Sequence, residues 1–172
     1  IMPDPRESGT AADLIAAMVD QWGEDKTWEL FDKLFDNGMI VQGANGPALD
    51  QVTSGSRGIV MGGVDYSAYS AKSKGEPLEV VIPSSGTTVT PRPVMILKTT
   101  DNKEAAEAFV DFLFSDEAQE ISASKNMIPA NTEITPKNGP KLDEITTLNE
   151  DLDTVVSTSK DVKEKFAQRY LG

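Results

Sequence analysis

Met39-Ile40-Val41-Gln42-Gly43-Ala44-Asn45-Gly46-Pro47 is the stretch on which the fold reading turns. Three large apolar residues in a row, closed by a glycine turn, predict a short buried strand. Pro47 suits the opening turn of a helix, with Asn45 or Gly46 as its cap and Leu49 and Val52 facing inward. A helix N-terminus is therefore expected directly after a strand end. The pattern recurs: Gly58-Ile59-Val60-Met61 reads as strand, Gly62-Gly63 as turn, and residues 64–73 as a helix carrying Asp65, Tyr66 and Tyr69. Leu78-Glu79-Val80-Val81-Ile82 and Val94-Met95-Ile96-Leu97 read as further strands. This alternation predicts an α/β fold, a three-layer parallel or mixed sheet flanked by helices. In such sheets ligands sit beyond the carboxyl ends of the strands, where helices begin.

Upstream, Pro3-Asp4-Pro5-Arg6-Glu7-Ser8-Gly9-Thr10 launches another helix. The prolines hold the backbone extended, and Ala11, Leu14, Ile15, Met18, Val19 and Trp22 follow at helical spacing. Ser8 or Thr10 is the expected cap, and Asp13 is placed in the first turn, where the macrodipole favours an acid. Exposed N–H groups with Ser8, Gly9 and Thr10 beside them also make an anion site, as does the Asn45-Gly46 turn. A second helix begins near Glu24 or Asp25, buries Trp28, Phe31, Leu34 and Phe35, and stops at Asn37-Gly38. These aromatics read as core.

Downstream, residues 83–93 form a polar loop whose one cation is Arg92. Asp101 or Asn102 caps a helix expected to bury Ala105, Ala106, Phe109, Val110 and Leu113, and Ser115 caps the next. Pro129, Pro136, Gly139 and Pro140 break the chain into loop. Residues 152–170 carry Leu152, Val155, Val156, Val162, Phe166 and Tyr170 at helical spacing and form the last helix.

The 172 residues contain no cysteine and no histidine. Disulfides, thiolate chemistry, the Ser-His-Asp triad and imidazole zinc sites are thereby excluded. A net charge of −12 argues against nucleic acid and anionic membranes as partners. No run approaches about 18 apolar residues, so no spanning helix is expected, and no leader of basic and apolar residues opens the chain. Nothing in the composition calls for a cofactor, and a metal site stays undecided.

Taken in order, Val94-Met95-Ile96-Leu97-Lys98, Asn102-Lys103-Glu104-Ala105-Ala106, Phe109-Val110-Asp111-Phe112-Leu113-Phe114-Ser115 and Glu117-Ala118-Gln119 resemble extracellular solute-binding proteins of ABC importers. The likeness is to the branch that takes ferric iron or organic phosphates. Asn126-Met127-Ile128-Pro129 fits the loop that follows there, and Asp4-Pro5-Arg6-Glu7-Ser8-Gly9-Thr10 is similar to the start of the second lobe. Val52-Thr53-Ser54-Gly55 and Gly58-Ile59-Val60-Met61 also match.

The resemblance implies a periplasmic-binding-protein-like fold of two lobes closing on a ligand. Residues 1–172 correspond to one α/β lobe, with the returning strand and helices from about residue 94, and the first lobe is absent. It implies a non-enzymatic, extracytoplasmic substrate-binding component, periplasmic or a cell-surface lipoprotein, that docks on importer membrane subunits. A signal peptide would be removed or absent, and a truncated lobe could pair as a homodimer. The branch's iron-binding tyrosine pair falls at Val64-Asp65, with Tyr66 one place on, so two adjacent phenolates are missing. The expected ligand is a small anion: an organic phosphate, a phosphonate, or ferric iron with a synergistic anion. Its expected contacts are Ser8, Gly9, Thr10, Asn45, Gly46, Asp65 and Tyr66. Two alternatives compete with it. One is an enzyme working through carboxylates such as Asp4, Glu7 or Asp65. The other is the ligand-sensing domain of a regulator.

Overall fold

The computed structural model describes residues 1–148 and 151–172. Seven α-helices hold about half of them: α1 Gly9–Trp22, α2 Glu24–Asp36, α3 Asn45–Thr53, α4 Asp65–Ser73, α5 Lys103–Leu113, α6 Asp116–Ser124 and α7 Leu152–Tyr170. A 3-10 turn spans Leu142–Glu144.

The expected sheet is not there. Among the described residues no strand forms, and the only ladder contacts are two isolated parallel bridges, Met2 with Val41 and Thr87 with Thr147. The α/β, three-layer reading is therefore corrected to a helical one with extended connections. A run such as Val80-Val81-Ile82 specifies one side of a ladder and leaves its partner unspecified. Residues 39–41 and 59–61 flank the N-terminal segment through a few bonds. Met2 N donates to Ile40 O at 2.9 Å, Gln42 N to Met2 O at 3.2 Å, and Met61 N to Ile1 O at 2.9 Å. The pairing stops within those few residues. Residues 78–82 and 94–97 join no ladder, and Val81, Met95 and Leu97 are 79%, 72% and 64% exposed where burial was expected.

The chain divides into two compact units: Ile1–Thr90 with Thr146–Gly172, and Pro91–Ile145. In the first, α1 packs between α2 and α7. Its apolar face buries Ala11, Ile15 and Met18 against Met2, Phe31, Val155 and Phe166. Phe31 meets Phe166 edge-on at 5.3 Å between centroids, and Phe35 stacks flat on Tyr170 at 4.4 Å. Such pairs add roughly 0.5–1.5 kcal/mol each beyond their burial. The aromatics are core, as expected. Thr87 N donates to Thr146 O at 3.0 Å and Leu148 N to Thr87 O at 2.9 Å, which fastens the two passages of the chain together inside this unit.

In the second unit Asn102 and Ser115 cap α5 and α6 through Ala105 N and Ala118 N. The face of α5 expected to be buried is not: none of its residues is buried, and Phe109 is 58% exposed. Order comes instead from polar ties. Buried Gln119 donates to Leu113 O at 2.7 Å and accepts from Ala130 N at 2.7 Å and Asn131 N at 3.2 Å. Asn126, at φ 64°, accepts from Asn138 Nδ2 at 2.7 Å.

Candidate functional site

The site grows from the turn that opens α1. Pro3 and Pro5 hold Asp4 in place, and its carboxylate, 6% exposed as a residue, is met by Arg6. Arg6 gives its backbone N at 2.8 Å, its Nε at 3.0 Å and its Nη2 at 2.6 Å. These bonds from Arg6 hold the Asp4 carboxyl below its ordinary value, against the opposing effect of burial. The Asp4 carbonyl accepts from Glu7 N and Ser8 N, which closes the turn and delivers Ser8 to the helix start. Asp4 is thus a brace, committed to Arg6.

Ser8 caps α1 in the extended region, at φ −116° and ψ 109°, and its Oγ accepts from Ala11 N at 3.2 Å. Its own proton goes across the chain to Asn45 Oδ1 at 2.8 Å. Thr10 Oγ1 lies 3.1 Å from Ser8 Oγ and donates to Asn45 Oδ1 at 3.4 Å. Asn45 is the first residue of α3, brought there because Asp4 N donates to Gly43 O at 2.7 Å. Two helix N-termini are therefore joined by one side-chain cluster, through residues 37 apart in sequence.

The cap of α3 is Ala44, which makes no side-chain bond, rather than the expected Asn45 or Gly46. The first-turn N–H groups of both helices have no intrahelical acceptor. With the Asn45 oxygen taken by hydroxyls, its Nδ2 is left as a donor pair. The cluster is rich in neutral donors and suited to oxygens that carry negative charge.

The other expected residues lie apart from this bond network. Gly9 and Gly46 are exposed beside it, each in the first turn of its helix. Asp65 opens α4, where its charge joins burial in raising the Tyr69 phenol. Tyr66 follows on the same helix, half-buried. The turn before α4 comes up against α1: a Cβ on Gly62, at φ 69°, would stand 3.2 Å from Leu14 Cδ2. Asp13 is not in the first turn of α1. It lies a turn further on, where burial raises its carboxyl against the opposing pull of Lys163 and a bond from Thr90.

The Asp4–Arg6 brace escaped the sequence reading, although an acid and an arginine two apart around a proline is a readable signal for it. Gln119 had no such signal, because its partners are backbone groups 6, 11 and 12 residues away.

Residues 1–151 match the family described as bacterial extracellular solute-binding protein. The chain belongs to this family. Among curated relatives, an uncharacterized protein of Haemophilus influenzae is 33% identical over 123 residues, 69% of this chain and 34% of that protein. A sulfate-binding protein of Synechocystis is 28% identical over 134 residues, 74% of this chain and 38% of that protein. The chain spans about a third of the length of these relatives. No solved structure matches it.

Proposed function

We propose that this chain forms part of the solute-binding component of an ABC importer and contributes to an oxyanion site outside the cytoplasm. The observation that carries the reading is the Ser8–Thr10–Asn45 cluster, which brings the N-termini of α1 and α3 to one point. A tetrahedral oxyanion there would meet first-turn N–H groups and the Asn45 Nδ2 donors. Each hydrogen bond to a charged oxygen contributes roughly 1.5–3 kcal/mol. A relative described as sulfate-binding supports the oxyanion class. Organic phosphates, phosphonates, or ferric iron carrying a synergistic anion present the same kind of oxygens. Asp65 and Tyr66 would then contact the rest of the solute, where a carboxylate and a phenol favour hydroxyl or amine groups. Family membership supports binding over catalysis and an importer as partner.

Calorimetry tests this, titrating sulfate, a phosphate monoester and a phosphonate into the chain. The expected result is weak, saturable binding of at least one of them, lost in Asn45→Leu. Binding untouched by Asn45→Leu would place the anion elsewhere and overturn the assignment.

A further inference from the structure

The Asn45-Gly46 pair has a second chemistry beyond anion binding. We infer that it is a self-deamidation site, activated by the two hydroxyls that converge on it. In this reaction the backbone nitrogen of the glycine, having lost its proton to hydroxide or water, attacks the Asn45 side-chain carbonyl carbon. The N–Cγ bond forms while the carbonyl electron pair moves onto Oδ1. Nδ2 takes a proton from water, and collapse of the oxyanion then expels it as ammonia, returning hydroxide to the solvent and leaving a cyclic imide. Water then opens the ring at either carbonyl, giving aspartate or isoaspartate.

Two features of the site favour each half of the step. Ser8 Oγ and Thr10 Oγ1 donate to Asn45 Oδ1 at 2.8 and 3.4 Å, where negative charge develops during the attack. Donors aimed at such an oxygen act as an oxyanion hole. The nucleophile is also uncommitted: Gly46 stands in the first turn of α3, where no intrahelical acceptor exists, and it is exposed with open space around it. Swinging Asn45 into reach disturbs little, because the first bond of the helix is the 3.2 Å contact of Ala48 N with Ala44 O.

The chain carries two more Asn-Gly pairs, which serve as internal controls. Gly38 N is committed to Phe35 O at 2.9 Å, so the nucleophile after Asn37 is engaged. Asn138 uses its Nδ2 to donate to Asn126 Oδ1 at 2.7 Å, which pushes electron density into its amide rather than drawing it out. Among the described residues no hydroxyl donates to the side-chain carbonyl oxygen of either pair. A carboxylate at position 45 would leave the α3 start favourable for the helix, and would repel an anion. This last consequence rests on the proposed function; the deamidation itself does not.

The test is peptide mapping by mass spectrometry after incubation of the whole chain at mildly alkaline pH. Asn45 is expected to deamidate several-fold faster than Asn37 and Asn138. Ser8→Ala and Thr10→Ala should each slow Asn45 severalfold and leave the other two unchanged, and Gly46→Ala should suppress it. If Ser8→Ala unfolds the chain, the three rates converge, and Thr10→Ala, altering a half-buried side chain, still reads the effect. A rate at Asn45 equal to or below the controls, or one raised by Thr10→Ala alone, would overturn the inference. Anion titration of the aged protein then reads the binding consequence separately.

Discussion

Tyr170 donates its phenol to Asp32 Oδ1 at 2.8 Å, tying the end of α7 to the middle of α2. Arg169 reaches the same carboxylate through Nε at 3.0 Å, and the Tyr170 ring stacks on Phe35. Adjacent residues at the end of the returning helix thus add a stacked ring and a charged contact to the packing of Phe166 on Phe31. Burial raises the Tyr170 phenol well above its ordinary value, and the Asp32 carboxylate raises it further. The neutral phenol is the form the fold prefers, so this contribution is complete below the ordinary tyrosine range and is lost as pH rises through the raised value. Tyrosinate absorbance in an alkaline titration should show late ionisation of both Tyr69 and Tyr170, and Tyr170→Phe should remove the later of the two transitions. Asp32→Asn should bring that transition earlier without returning it to the ordinary value, since burial is the larger cause. An unchanged later transition in Tyr170→Phe would contradict the assignment.

Asp13 gives the same sign of pH dependence, in an acidic window instead of an alkaline one. Its carboxyl is raised chiefly by burial, with Lys163 and Thr90 only partly offsetting it. The folded chain therefore binds this proton more readily than the unfolded one. Stability should rise as pH falls from the raised value to the ordinary aspartate range, and the ionised form is a cost at neutral pH. Asp13→Asn is expected to stabilise the chain at neutral pH and to remove this part of the acid-side gain. Urea denaturation at several pH values reads both effects, and a variant less stable than the parent at neutral pH would show Lys163 and Thr90 to dominate.

What the sequence made legible was local. Ser8, Asn102 and Ser115 were readable as caps because a cap and the N–H it satisfies lie within one turn. The limits of α7 followed from apolar spacing, and those of α4 to within a residue from the Gly62-Gly63 turn before it, for the same reason. Strands fail this condition. Val81 and Met95 have the composition of buried strand residues, and burial depends on a ladder partner that composition does not name. Half of the candidate site was readable too: Ser8, Thr10 and Asn45 stood out separately as helix-start residues. Their meeting depends on the bond from Asp4 N to Gly43 O, a backbone contact across 39 positions with no residue signature.

Thr27 offers a direct test of core packing. It is fully buried in α2, and its hydroxyl is the one buried side-chain polar atom without a partner among the described residues. Desolvating an unpaired hydroxyl costs about 1–3 kcal/mol. Thr27→Val keeps the branched shape and removes that cost, so it should raise stability by about 1 kcal/mol, seen as a higher urea midpoint at unchanged slope. Thr27→Ala removes the hydroxyl as well but leaves a void, and should be less stable than the valine variant. A valine variant weaker than the parent would mean that the hydroxyl finds a partner, such as a buried water.

Gly86 is the tightest point in the clamp between residues 86–87 and 146–148. Its φ is 105°, a conformation that side chains disfavour, and a Cβ there would lie 2.7 Å from Leu148 Cδ2. Leu148 is 5% exposed and belongs to the core, so it has little room to withdraw. Gly86→Ala should therefore destabilise by about 2–4 kcal/mol, from backbone strain of about 1–3 kcal/mol plus overpacking. The two causes separate in a double variant. Leu148→Ala alone costs about 2–5 kcal/mol through the cavity it opens. Added to Gly86→Ala it removes the clash but not the strain, so the pair should cost less than the two single changes together. Strict additivity in denaturant unfolding would show that the close approach of Gly86 to Leu148 carries no weight, and that backbone conformation alone demands glycine there.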